Sequence, residues 1–159
     1  MTDWLPHGLL VLALVSGGLL AGVYFAFSCA VCPALRRVDD TAYVRAFRAV
    51  NAVIQNGWFL SVLFLAPLSA IAVAVWPPAA GARIPAIAAA VLAASAFLST
   101  VAVNVPLNNA LDAAPIDDPT AAHAVRSAFE ERWNRWNLVR AVTTAAALAV
   151  LAAVAALPL

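Results

Sequence analysis

Lysine is absent from this chain. All nine cationic side chains are arginine, set against eight acidic ones for a net charge of +1. No field exists that would gather nucleic acid. Charged residues make up only 11% of the sequence and hydrophobic ones 65%, where soluble proteins average about 25% and roughly 45–50%. A soluble domain of 159 residues has too much surface to cover with so few charges. Lipid is therefore the expected solvent. Histidine is nearly missing too, with only His7 and His123, and cysteine is limited to Cys29 and Cys32. The N-terminal stretch lacks a basic region, and the apolar run after it is longer than the roughly 7–15 residues of a signal-peptide core. Arg36 and Arg37 follow that run like a membrane stop, so it reads as a retained helix.

Four apolar segments stand out: Gly8 to Val31, Gly57 to Trp76, Ile84 to Val105 and Leu138 to Leu157. Each reaches the roughly 20 residues that cross about 30 Å of hydrocarbon at 1.5 Å per residue. Lipid offers backbone groups no partner, so the segments must be helices. None contains an acidic residue, and Arg140 near one end is the only basic one. That absence, with the lack of an internal repeat, argues against a transporter. The expected fold is all-α: an integral membrane four-helix bundle with amphipathic cytoplasmic connecting helices, one domain over 1–159. Pro67 should kink the second span, and Pro85 suits a first turn.

Arginine sets the orientation. Eight of the nine lie in or beside the Cys32–Asn56 and Pro106–Asn137 connections, and only Arg83 lies on the other side. Both connections are thus expected in the cytoplasm and both termini outside, in a multi-pass protein of the inner (plasma) membrane. Trp4 and Trp76 then mark the outer interface, and Trp58, Trp133 and Trp136 the inner one. In Thr41 to Asn56, the stripe Val44, Phe47, Val50, Ile54 predicts an interfacial helix. Asp118-Pro119 is an N-cap with proline in the first helical position, and from there apolar residues at helical spacing run straight into the fourth span. Glu131 and Arg135 should pair across one turn of it.

Polar side chains collect at the cytoplasmic ends of the spans. Tyr24 and Ser28 close the first; Asn51, Gln55 and Asn56 precede the second. Asn104, Asn108 and Asn109 end the third, and Trp133, Trp136, Asn137 and Arg140 open the fourth. Antiparallel connectivity brings all of these to one depth. Carboxamides are costly in lipid, so they should face one another or a pocket. Asparagines also tie transmembrane helices together without any further role, and interfacial arginine and tryptophan are ordinary anchors. Both readings stay open at this point. Cys29 and Cys32, three apart on one helical face, invite a redox role with a quinone-linked partner, yet thiols stay reduced in the cytoplasm. The two histidines fall on opposite sides of the membrane, so no bis-His metal or haem site is available in one subunit. Gly18 and Gly22 form a GxxxG pair suited to close packing within the bundle or between subunits, which allows a homo-oligomer.

Several stretches carry a family resemblance. They are Gly22-Val-Tyr-Phe-Ala-Phe-Ser28 with Pro33-Ala-Leu35, Asn51 to Asn56 leading into Trp58-Phe59, Asn104-Val-Pro-Leu-Asn-Asn-Ala-Leu111, and Trp133-Asn-Arg-Trp-Asn-Leu-Val-Arg140. Together they resemble the anthrone oxygenase-like (DUF1772) family of four-helix membrane proteins. The resemblance covers essentially the whole chain, with Cys29 and Cys32 as local departures. It implies a cofactor-independent monooxygenase, an oxidoreductase that converts an anthrone-like aromatic polyketide to the quinone with molecular oxygen. On that expectation Arg140 would hold the enolate or peroxide charge, and Asn104, Asn108 and Asn137 would bond ring oxygens. Tyr24, Trp133 and Trp136 would line an aromatic slot, with Asn51, Asn56 and Asn109 as further binding residues. His123 and Glu130 are the candidate bases. The alternatives are a non-catalytic membrane subunit or lipid-binding bundle, and a quinone-linked thiol oxidoreductase.

Overall fold

The computed structural model describes residues 4–157, all helix and short turns with no strand among them. Four helices are long and apolar enough to cross a membrane: α1 (Trp4–Leu35), α3 (Gly57–Val75), α4 (Ala80–Ala113) and α5 (Pro119–Ala155). A shorter helix, α2 (Asp40–Ile54), joins α1 to α3. The start signals are carboxyl and carboxamide caps. Asp39 accepts from the Ala42 amide at 2.9 Å, Asn56 from Phe59 at 3.0 Å, and Asp118 from Ala121 at 2.8 Å. Each answers one of the amides that a helix leaves unpaired at its first turn. Pro119 occupies the first position of α5, and the helix then runs unbroken for 37 residues. That is about 55 Å, well beyond a 30 Å hydrocarbon layer, so its first third lies outside the span.

The spans are longer than expected because two prolines do not end them. Pro33 and Pro106 each follow a π-helical turn, Phe27–Val31 in α1 and Thr100–Asn104 in α4. Proline removes one amide donor and crowds the carbonyl four residues back. A turn with one extra residue relieves that crowding without breaking the helix. Pro67, buried inside α3, sits in uninterrupted α-helix.

The four long helices form a closed ring in which α1 and α4 each pack between α3 and α5. Toward the chain ends the core is narrow, built of Leu10, Ala13, Val73, Ala86, Ala89 and Leu151. Alanine at the contacts lets these backbones approach closely. Of the GxxxG pair, a side chain added at Gly18 would reach Leu148 of α5 at 4.0 Å, while one added at Gly22 would meet nothing within 4 Å of the bundle.

The arginine-rich end is built differently. Here α2 lies against the extensions of α4 and α5 that leave the span. Tyr43, Val44 and Phe47 are buried against Leu111, Phe129 and Trp133. This corrects the reading of α2 as an interfacial helix: much of its apolar stripe meets protein instead of lipid, because the long α5 supplies a second apolar surface. Trp133 is likewise buried in the core and is no interface anchor, whereas Trp58 is 88% exposed. Arg48 fixes the end of α4 by donating to the carbonyls of Leu111 (3.0 and 2.7 Å) and Ala114. Arg126 bridges Asp40 at 3.0 Å and Glu130 at 2.6 Å, and lies 4.4 Å over the Tyr43 ring. Glu130 also meets Arg36 at 3.3 Å. Glu130, not Glu131, is therefore the glutamate that joins Asp40 in the ion pairs of this surface.

Candidate functional site

Between the spans and α2 lies a cleft of about 810 Å³, its open mouth included. All five helices contribute to its wall. The apolar part is aromatic and aliphatic: Phe27 from α1, Phe47 and Ile54 from α2, Phe59 and Leu63 from α3. Trp133 stands in the middle of this surface, with its ring centroid 4.8 Å from Phe47 and 5.7 Å from Phe27. Its indole N–H donates to Asn108 Oδ1 at 2.8 Å, which fixes the ring's orientation.

Arg140 is the dominant group on the polar part. It is only 4% exposed and lies more than five turns into α5. Among the described residues no carboxylate pairs with it. Its Nη1 donates to Thr100 Oγ1 at 3.3 Å and its Nη2 to Asn137 Oδ1 at 3.0 Å. The guanidinium carbon lies 4.4 Å from the Tyr24 ring centroid and 5.4 Å from that of Trp133. Thr100 gives its single proton to the Ala96 carbonyl at 2.9 Å. It must then accept both from Arg140 and from the Tyr24 hydroxyl, 3.3 Å away. The cation is thus held by neutral groups and ring faces, with its charge uncompensated.

Three polar groups on the same wall have no partner: Arg140 Nε, Asn51 Nδ2 and both carboxamide atoms of Asn104. Asn104 is 1% exposed and Asn51 2%. Leaving a buried polar atom unbonded costs about 1–3 kcal/mol, so each of these groups is open to a polar partner in the cleft.

Of the residues singled out from sequence, Tyr24, Asn51, Asn104, Asn108, Asn109, Trp133, Asn137 and Arg140 line this one cleft. Their parts differ. Asn137 is fully engaged, donating to the Tyr24 carbonyl (3.0 Å) and Ser28 Oγ (2.8 Å) while accepting from Arg140. It positions the cation and ties α5 to α1, and has no atom left for a ligand. Asn104 has both atoms left. Asn56 stays outside, as the cap of α3 with its Nδ2 on the Val53 carbonyl at 2.9 Å. Trp136 is half-buried and does not line the cleft.

The two candidate bases are elsewhere. His123 is exposed and sits 2.8 Å from Asp40, and Glu130 is held by Arg36 and Arg126. The cleft wall carries neither carboxylate nor imidazole. Among the described residues no three His, Cys, Asp or Glu side chains gather as metal ligands would. The thiols are free and diverge: Cys29 is exposed and Cys32 is buried beside Tyr43 and Phe47, because the π turn separates their faces. Thr100 was missed in the sequence. Its signal was present, since Thr100, Asn104 and Asn108 recur every four residues.

The family model for anthrone oxygenase matches residues 43–150, about two-thirds of the chain. The matched segment starts within α2 and contains every cleft residue except those of α1. Comparison with curated proteins and with solved structures gave no match. On the strength of the family match, this chain belongs to the anthrone oxygenase family.

Proposed function

We propose that the cleft binds an anthrone-like aromatic polyketide as its enolate and brings it to react with molecular oxygen. One observation carries the reading. Arg140 is a buried cation with no carboxylate partner, set among Tyr24, Trp133 and the unpartnered carboxamide of Asn104. A flat aromatic anion answers each of these needs at once. Its charge meets the guanidinium, its ring faces meet the aromatic wall, and its peripheral oxygens meet Asn104 and Asn51.

The chemistry balances without a further reactant. The methylene carbon of an anthrone loses a proton, and the charge settles on the carbonyl oxygen facing Arg140. The enolate gives one electron to oxygen, and the radical and superoxide so formed join in a new C–O bond at the former methylene carbon. The peroxide anion takes up a proton. Loss of the remaining C–H proton then breaks the O–O bond, releases water and leaves a second carbonyl. In sum, anthrone and oxygen give anthraquinone and water. In this scheme the cation favours ionisation of the substrate, and its proton leaves to water at the membrane interface, where Gln55 and Asn109 border the cleft. Arg140 is the catalytic residue, and Asn137, Thr100 and Asn108 are positioning residues. The arginine-rich end is assigned to the cytoplasmic face, supported by eight arginines against one.

The test is oxygen uptake by the purified protein in lipid nanodiscs supplied with 1,8-dihydroxyanthrone. One oxygen consumed per quinone formed is expected. A rate no faster than that of empty nanodiscs would overturn the reading.

A further inference from the structure

We propose that this cleft takes its ligand sideways from the bilayer, through a slot between α3 and α4 whose lips are Leu60 and Val105. The inference rests on the aromatic-anion reading above and adds the route by which such a ligand reaches Arg140.

The slot is a consequence of Pro106. α3 packs along the Arg83–Ser99 part of α4 and parts from it beyond Ser99, where the π turn before Pro106 begins. Just before that point a ring pair joins the two helices, Phe64 with Phe97, 5.3 Å between centroids. The neighbouring seams do not open in this way: α5 stays packed on α4 and on α1 through both of their π turns. α3 also lacks such packing against the Phe27–Leu35 part of α1, but the cleft residues on that side, Val23, Tyr24 and Phe27, are not exposed.

Exposure places the mouth in the same seam. The exposed residues of the cleft lining are Gln55, Leu60, Val105 and Asn109. Gln55 lies just before α3 and Leu60 in its first turn, and the other two are on α4, on either side of the gap. The pair nearer the middle of the span is apolar, and the pair nearer the arginine-rich end is carboxamide. The surface outside the lips is apolar as well, with Phe64 and Val101 half exposed and Trp58 at 88%. An opening onto water would not be framed in this way. A slot that is apolar at hydrocarbon depth and polar at headgroup depth suits a planar molecule that dissolves in the membrane with its hydroxyl groups at the interface. Thr100, level with Arg140, is nine residues above Asn109, about 13 Å along the helix. A three-ring ligand sliding in edge-on would bring its anionic oxygen to Arg140 with its far end still between the lips.

The experiment follows association and dissociation of 1,8-dihydroxyanthraquinone, by its own fluorescence, with protein in phosphatidylcholine nanodiscs. Leu60→Trp and Val105→Trp narrow the slot. Both rates should fall by about tenfold or more, because narrowing the slot raises the barrier to entry and to exit alike. Leu60→Ala and Val105→Ala should raise both rates, which guards against tryptophan variants that fold poorly. Leu68→Trp, on the lipid face of α3 away from the cleft, should do nothing. The portal is overturned if the Leu60 and Val105 variants leave the rates unchanged, or if Gln55→Trp slows binding more than they do. A wild-type protein that binds no anthraquinone would overturn the ligand class itself, and with it the portal.

Discussion

Replacing Arg140 by glutamine separates the two things a buried arginine can do. Its Nη1 and Nη2 contacts to Thr100 and Asn137 are to neutral oxygens, at 3.3 and 3.0 Å. With no carboxylate nearby, burying the charge is a cost to the fold. Glutamine is neutral and can still donate to Asn137 Oδ1, so Arg140→Gln should melt no lower than wild type. Ligand binding should move the other way. A charge-assisted bond to an anionic oxygen contributes about 1.5–3 kcal/mol, equal to about 10- to 150-fold in Kd. That loss falls on the ionised ligand alone. The cation lowers the pKa of a bound hydroxyanthraquinone, so in the variant the bound pKa should rise by about 1–2 units toward its value in solution. Arg140→Lys, which keeps the charge but not the planar fork, should fall between. The assay is a spectrophotometric titration of the bound ligand from pH 5 to 10 in nanodiscs, beside thermal unfolding. A folded Arg140→Gln protein that binds the ionised ligand as tightly as wild type, with the bound pKa unmoved, would refute the reasoning.

Three further outcomes are expected from the same geometry. Asn104→Leu removes a buried carboxamide with no partner, so it should raise the melting temperature while weakening anthraquinone binding by about tenfold, one hydrogen bond's worth. Asn137→Ala breaks three bonds that join α5, α1 and Arg140, and should destabilise by about 2–4 kcal/mol in thermal or denaturant unfolding. At the arginine-rich end, the hydrogen bond from His123 above all, then that from Arg126, holds the Asp40 carboxyl below its ordinary value. A lowered folded-state pKa contributes stability that is fully present above the unfolded value, about 3.9, and is lost as pH falls through the folded one. Wild type should therefore lose melting temperature below about pH 4 more steeply than Asp40→Asn. Equal slopes would show that the Asp40 network does not stabilise the fold.

Much of this fold is legible because membrane solvent simplifies the problem. Four runs of apolar residues without acids can only be helices crossing lipid, and Asp118-Pro119 announces α5 to the residue. The concentration of Asn, Trp and Arg at one end follows from antiparallel connectivity. The features that stayed hidden depend on which surface wins a competition. The stripe of α2 suits lipid or protein equally well in sequence, and α5 decides it only by extending far enough to offer Phe129 and Trp133. Asn137 and Asn104 look alike as letters. One is saturated by Tyr24, Ser28 and Arg140, and the other is left bare, which depends on backbone carbonyls no pattern displays.

The π turns explain the rest. On an ordinary helix Thr100, Asn104 and Asn108 share a face, but Asn109 would stand about 180° from Thr100 and Val105 about 140° at 100° per residue. Neither could then belong to the same wall. Both line the cleft, because the turn at Thr100–Asn104 absorbs one extra residue and rotates the helix beyond it back by about one residue's angle. The same turn is where α3 and α4 part. A single proline, Pro106, thus recruits two further residues to the wall and opens the seam beside them. Helical periodicity read through that proline misplaces the residues after it, and that is why the polar residues of the site could be reasoned from sequence and the apolar lip Val105 could not.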